Sequence, residues 1–396
     1  MRILYISYWS LNEPLTSSAV FPYLKILDEY DSIEHITFVT IERGNENFLD
    51  VEMNFKKVEH HPLRPRFLSS FLFSKIDEFT RIPNILTKMA REMSADLILA
   101  KASFAGSLAY MVNRRTGVPF IVESFEPHSD YMVECGEWKK RGFLDLYAKY
   151  YERKQLDHAK LIITVTNNYK NYLIETKEVP ENKISVIPSI TDIEEFSFDQ
   201  KDRDRIRDEF DLGEHITGIY VGKFGGLYYN AEAYDIFKTA YDHFDGKMKF
   251  FILSPEPADV IYYEMSKRGI ERSSVHAFIA SHDDVPNYLS ASDFAFSTVK
   301  PAFSKQFQCP IKNGEYWANG LPILMTYGIA DDYKIIEQGE GGALYDLSKG
   351  DLQIALKKIE NILQTPDHRD KIKELACKYK SLDIAKNVYQ DLFLNT

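Results

Sequence analysis

Near its carboxyl end the chain reads CPIKNGEYWANGLPILMT, Cys309 to Thr326. Proline just inside a helix start and glycine just past its end frame PIKNGEYWANG as a helix. Lys312 and Glu315 sit three apart and share one face of its first turns. A lysine at a helix N-terminus opposes the macrodipole, so the position has a cost to explain. The N–H groups of Ile311, Lys312 and Asn313 would meet a diphosphate there, with the ammonium reaching the same charge. Glu315, one turn on, would accept hydrogen bonds from two neighbouring hydroxyls of a ribose. The competing reading is a surface Lys–Glu pair worth roughly 0.2–0.5 kcal/mol.

Two other loops have suitable residue types. YVGKFGGLYYN places Gly222, Gly225 and Gly226 after a strand and before a helix, where backbone approaches a ligand closely, and Lys223 adds a point charge suited to phosphate. It is neither GxGxxG nor a Walker loop, and an ordinary strand-to-helix turn reads the same way. SYWSLNEPLTSSAVFPYL follows the first apolar run; Thr16, Ser17 and Ser18 would offer hydroxyls and N–H groups to an anion or a polyol. There a helix is expected to begin at or just after Ser17 or Ser18, and an ordinary N-cap would use the same residues. His128, in VESFEPHSD, falls at the carboxyl end of a strand, where an α/β site opens.

Other patterns are weaker. Asp202-Arg203-Asp204 matches DxD but heads a charged helix, which reads as a solvated face, and His60 and His61 lack a third ligand nearby, so no metal site is assigned. No GxSxG is present. Cys135, Cys309 and Cys377 lie far apart without CxxC spacing, which fits a reducing cytoplasm. LRPRFLSSFLFSK, Leu63 to Lys75, mixes Arg64, Arg66 and Lys75 with phenylalanines. It reads as a core helix with polar flanks, or as a dock for an anionic membrane surface or lipid acceptor.

These residues need a scaffold, and the composition allows one. A chain of 396 residues suggests two domains, and 44% hydrophobic with 27% charged residues is a globular balance. The net charge of −11 argues against a general affinity for nucleic acid. No apolar run approaches the roughly 18 residues of a membrane span, and MRILYISYWS reads as an opening strand.

Short runs rich in Ile, Leu and Val alternate with helical patterns. RILYIS, HITFVTI, ADLILA, VPFIVES, KLIITVT and ISVIPS come first, with amphipathic stretches such as Ser18–Tyr30, Thr80–Ser94 and Lys140–His158 between them. A polar linker is expected over Ile193–Asp204. The rhythm restarts with ITGIYVG, KMKFFILS, SSVHAFIA, SDFAFST and LPILMT, and Asp367 to Phe393 reads as one long helical pattern. Strands separated by helices imply two doubly wound parallel-sheet domains, with ligands at the carboxyl ends of strands in a cleft between them.

Three motifs carry a resemblance. VIPSITDIEEF resembles the interdomain segment of family four glycosyltransferases, HDDVPNYLSASDFAFST its helix–strand stretch ending in an aspartate (here Asp293), and PIKNGEYWANGLPIL its donor-binding helix. The resemblance implies an α/β GT-B fold of two facing Rossmann-like domains: an acceptor domain over 1–195, a nucleotide-sugar domain over 196–375, and a helix over 376–396 returning to the first. It also implies a retaining, metal-independent transfer, without cofactor, from a nucleotide diphosphate sugar (UDP or GDP) to a glycan or lipid-linked acceptor. Bacterial surface polysaccharide synthesis at the cytoplasmic membrane face is the expected setting.

By the same resemblance Lys223 and Lys312 bind the diphosphate, Glu315 the ribose, and His128 lies near the transferred sugar. Gly222, Gly225, Ile311 and Asn313 line the donor, and Thr16 to Ser18 stand where relatives have a glycine-rich loop. Two departures stand out. The family's first glutamate, eight positions before Glu315, is here Phe307, and its second basic residue after Lys223 is Tyr228 or Tyr229. A nucleotide-sugar hydrolase or epimerase and a non-catalytic GT-B-like binder are the alternative readings.

Overall fold

The computed structural model describes residues 1–43, 53–68, 71–226 and 228–394. The chain divides into two compact units, Met1–Ile190 with Leu382–Thr396, and Thr191–Ser381.

The first unit is built on seven strands, β1 (Arg2–Ser7), β2 (His35–Ile41), β3 (Val58–Leu63), β4 (Leu97–Lys101), β5 (Phe120–Ser124), β6 (Leu161–Thr164) and β7 (Ile184–Val186). All pair in parallel, in the order β3-β2-β1-β4-β5-β6-β7. Helices α1 (Pro14–Ala19), α2 (Phe21–Glu29), α3 (Phe71–Glu92), α4 (Ser103–Thr116), α5 (His128–Glu134), α6 (Phe143–His158) and α7 (Asn167–Lys177) connect them. Continuous apolar runs mark six of these strands because a parallel sheet is covered on both faces. β3, VEHHPL, has no such run; it lies at the sheet edge, where Pro62 is tolerated. The first helix begins at Pro14, upstream of the Ser17 or Ser18 start expected from the sequence, because proline suits a first helical position.

The second unit has β8 (Ile216–Val221), β9 (Met248–Leu253), β10 (Val275–Phe278), β11 (Phe294–Ser297), β12 (Ile323–Thr326) and β13 (Gly342–Tyr345). These are also parallel, ordered β10-β9-β8-β11-β12-β13. Its helices are α8 (Gln200–Glu209), α9 (Ala231–His243), α10 (Ala258–Lys267), α11 (Val285–Ala291), α12 (Ile311–Ala318), α13 (Asp332–Glu337), α14 (Leu352–Leu363) and α15 (His368–Lys380). β13, GALY, lies at the sheet edge and has no run of Ile, Leu and Val to mark it in the sequence. Glycine opens it because a Cβ at Gly342 would come within 2.1 Å of the Ile323 carbonyl oxygen.

Two connections differ from the sequence reading. The polar stretch expected as a linker is folded: Phe196 is buried, and the Asp199 carboxylate caps α8 by accepting from the N–H groups of Lys201 and Asp202. The long terminal helix is two helices, α15 and α16 (Leu382–Leu394), parted at Ser381. Extended backbone at Ser381 forms a parallel bridge with Thr191, whose N–H also donates to the Lys380 carbonyl at 2.8 Å. α16 belongs to the first unit. Tyr389 donates to Glu123 at 2.9 Å, Glu123 also takes the buried Lys101 ammonium, and that ammonium sits 3.3 Å from the Tyr23 ring centre.

Strand order reverses direction between β1 and β4 in one unit and between β8 and β11 in the other. Loops leaving the carboxyl ends of strands at such switch points form ligand crevices.

Candidate active site

In the second unit the switch-point loops bring Lys223 and Lys312 to the same end of the sheet. Lys223 follows β8, and the loop after β11 leads into α12. These loops run together: Tyr228 bridges Val299, and the Tyr229 N–H donates to the Thr298 carbonyl at 2.9 Å. α12 is fastened to the end of β8, since the Val221 N–H donates to the Tyr316 hydroxyl at 3.1 Å. Tyr316 lies one turn after Lys312, so one contact fixes the helix start relative to the lysine loop.

The Lys223 loop owes its shape to aromatic packing. Phe224 stacks on Tyr234 with ring centres 4.7 Å apart and leans on Tyr220 at 5.0 Å. The Tyr220 hydroxyl donates to the Lys223 carbonyl at 2.6 Å, and the lysine side chain is left exposed. Gly225 adopts φ +75°, a conformation that favours glycine, and closes the turn. The Gly222 N–H is used by the Leu253 carbonyl at 3.0 Å, so Gly222 shapes the loop without presenting a donor.

At α12, Pro310 is the N-cap and offers no capping side chain. Lys312 donates to Glu315 at 2.7 Å, and the Glu315 side chain is only 2% exposed. Asn313 turns inward: its N–H bonds the Pro310 carbonyl and its amide donates to Asp332 at 2.9 Å. Ile311 and Lys312 stand at the first two helical positions, where N–H groups have no acceptor within the helix. Asp332 also accepts from Lys380 at 2.6 Å, and Lys380 reaches Cys309 at 3.1 Å. Burial works against the Lys380 charge, but Asp332 and Cys309 outweigh it and hold the ammonium well above the usual lysine range. Gly314 is required because a Cβ there would lie 2.4 Å from the Thr191 hydroxyl.

Phe307 stands where a carboxylate was a family expectation. It is buried and packs edge-on against Phe303 at 5.1 Å. Tyr229, at one of the positions expected for a second cation, is buried as well. Both departures are filled by packed aromatics.

In the first unit His128 opens α5, directly after β5. Its Nδ1 lies 3.1 Å from Glu126, and its ring is walled by Phe104, Tyr131 and Trp138, with centres 5.2 to 5.9 Å away. The Ser129 N–H and hydroxyl both donate to Glu152, at 2.8 and 2.7 Å, which pins α5 to α6. Burial pushes the Glu152 carboxyl up, against the Ser129 bonds and the nearby His128. Tyr8, after β1, meets Phe104 at 4.8 Å and so links the first loop to the histidine. The hydroxyls of Thr16, Ser17 and Ser18 are all spent locally. Thr16 is buried and donates to Ser10, while Ser17 and Ser18 donate to Pro14. Asp202 pairs with Arg205 and Asp204 accepts from Gln200, a solvated helix face as expected.

The chain is similar along its whole length to three solved structures. Anabaena Alr3699/HepE in complex with UDP-glucose matches with TM-score 0.73 at 13% identity, covering 99% of each chain. Sucrose-phosphate synthase (tll1590) from Thermosynechococcus elongatus matches at TM-score 0.72, and the lipopolysaccharide outer core galactosyltransferase WaaB in its apo form at 0.69. Both are 13% identical over 100% of each chain. No curated protein sequence matches. Residues 35–195 match the model of Glycosyltransferase Family 4.

The chain has the GT-B fold of these structures. Two residues, one beside His128 in the first unit and one beneath α12 in the second, have no motif of their own. Glu126 acquires meaning only through its distance to His128, although its i−2 position in EPH is visible. Lys380 is 68 positions after Lys312, and only the fold brings its ammonium under α12.

Proposed function

We propose that the protein is a retaining, metal-independent glycosyltransferase that moves a sugar from a nucleotide diphosphate sugar to a glycan or lipid-linked acceptor. UDP is the favoured nucleotide, since HepE binds UDP-glucose and UDP on the same fold. The observation that carries the reading is the Lys312–Glu315 pair at a helix start without a side-chain cap, fastened through Tyr316 to the strand that ends in Lys223.

Breaking a glycosyl–diphosphate bond builds charge on the departing phosphate. Lys223, Lys312 and the N–H groups of Ile311 and Lys312 would stabilise that charge as it grows, at roughly 2–4 kcal/mol per well-placed donor. Glu315 would hold the ribose. The acceptor hydroxyl would attack the face that the leaving group vacates, with the leaving phosphate taking its proton, and His128 would hydrogen-bond the transferred sugar. Bacterial surface polysaccharide synthesis is the proposed setting, on the cytoplasmic side of the membrane. Leu63–Lys75 is a proposed contact with that membrane. Ser69 and Ser70 of this segment lie outside the described residues, while Phe67 and Phe73 are exposed, which favours docking over burial in a core.

The test is incubation with a panel of UDP- and GDP-sugars, following ligand-induced thermal shift and product by NMR. Transfer with the donor's anomeric configuration retained is expected. A nucleotide at 100 times its Kd stabilises by roughly 2.7 kcal/mol, so absence of any shift and any turnover would overturn the proposal. Phe307 favours a second reading, a non-catalytic binder, which predicts a thermal shift without product.

A further inference from the structure

The segment Trp138–Lys154, WKKRGFLDLYAKYYERK, holds six basic residues and two acidic ones, in a chain whose net charge is −11. Both acids are consumed inside the fold. Asp145 is buried, accepting the Arg141 N–H at 2.7 Å and pairing with Lys149, and Glu152 is taken by Ser129. What the segment shows to water is therefore cationic. Lys139, Lys140 and Arg141 are exposed in succession ahead of α6.

The helix that follows exposes apolar side chains where a globular helix places polar ones. Phe143 is 72% exposed, Leu146 56% and Tyr150 55%. Spacings of three and four put the three on one face. Lys154, one turn past Tyr150, lies 5.5 Å from its ring centre. The neighbouring helix α3 exposes Phe73 and Ile76 on the turns before Phe79, whose ring meets Tyr147 of α6 at 5.3 Å.

We propose that this face of α6 docks on an anionic membrane surface, with Phe143, Leu146 and Tyr150 entering the headgroup boundary and Lys139, Lys140 and Arg141 engaging lipid phosphates. Charge complementarity selects the occupant: an apolar stripe headed by three cations fits an acidic bilayer. A second copy would bring the same cations against themselves. Docking also bears on the site, because α6 holds the helix that begins with His128 through Ser129–Glu152 and Lys149–Asp130. This assignment is independent of glycosyl transfer. It adds a second element to the membrane contact proposed for Leu63–Lys75 and is tested without any donor.

The experiment is co-sedimentation of the whole chain with vesicles of phosphatidylcholine alone and with phosphatidylglycerol added, in low and high salt. Binding is expected only to the anionic vesicles and is weakened by salt. Lys139→Gln/Lys140→Gln/Arg141→Gln should lower the partition coefficient by about a hundredfold. Phe143→Ser/Leu146→Ser should also lower it, while leaving the thermal unfolding of the protein unchanged. Equal binding by all variants, or no binding to either vesicle, overturns the proposal. So does a dimer without lipid that the Phe143→Ser/Leu146→Ser variant dissolves, which would assign the face to a second copy. Loss of transferase activity with vesicle binding intact would leave docking standing and count against the catalytic reading alone.

Discussion

Lys312 donates to Glu315 across 2.7 Å at the start of α12, and the carboxylate it meets is almost wholly buried. The lysine is thus held near the helix N-terminus by a group that would itself face the ribose, so each residue fixes the geometry of the other.

Replacing Lys312 by Ala should reduce kcat for transfer by about a hundredfold or more, the size of one lost electrostatic donor at a leaving group. Steady-state kinetics with the cognate donor measure this, and circular dichroism checks that α12 is intact. Near-normal turnover would remove the lysine from the mechanism.

Glu315→Gln keeps the shape but removes the charge that would accept from ribose hydroxyls. The donor KM should rise with kcat little changed, as for an interaction equal in ground and transition states. A fall in kcat at constant KM would place Glu315 in the chemistry instead.

His128→Asn should cost about a hundredfold in kcat/KM, as for a removed transition-state hydrogen bond. Glu126→Gln, which loses only the charged partner at Nδ1, should cost about tenfold. Equal losses from the two variants would show that the carboxylate acts directly on substrate and does not merely orient the imidazole.

Lys380 and Asp332 are both buried, so deleting one partner strands the other. Lys380→Met should destabilise the second unit by about 3–5 kcal/mol, and adding Asp332→Leu should recover much of that. Urea unfolding followed by Trp317 fluorescence reads both values. A single substitution without effect would mean that water reaches Asp332 once the lysine is gone.

Burial, with Lys249 and Arg272 nearby, pushes the His276 imidazole down to about 4. The unfolded ring titrates near its ordinary value of 6.5, so between pH 6.5 and 4 the unfolded chain binds the extra proton. The His276 contribution is therefore complete above pH 6.5 and is lost as the pH falls towards 4. Screening at a partly exposed ring limits it to about 1–2 kcal/mol. His276→Phe should flatten the fall of Tm over that window. An unchanged slope would assign the acid sensitivity to carboxylates.

Apolar runs and helix signals make the two parallel sheets readable in the sequence, because strands buried on both faces leave a continuous signature. β3 and β13 escaped since edge strands need no such run, and Ser381 escaped because a single extended residue does not interrupt helical periodicity. The placement of Lys312 and Glu315 at a helix start, and of Lys223 just after a strand, was legible from proline, glycine and apolar-run signals. The inward turn of Asn313 and the local use of the Thr16 hydroxyl were not, because hydrogen-bond partners distant in sequence or geometry decide them. Lys380 under α12 and Glu126 beside His128 likewise depend on tertiary contact.

The bridge between Thr191 and Ser381 brings the two places where the backbone changes units side by side. The second unit is thereby an uninterrupted polypeptide inserted into the first, and its two ends already adjoin. It should be separable by cutting the chain just outside them. Ile190 and Leu382, each one peptide bond from a bridge partner, should then be joinable by a short glycine-rich tether to give the first unit alone. A truncation before Leu382, by contrast, would leave the second unit whole and strip Tyr389 from Glu123, exposing the buried Lys101 charge in the first.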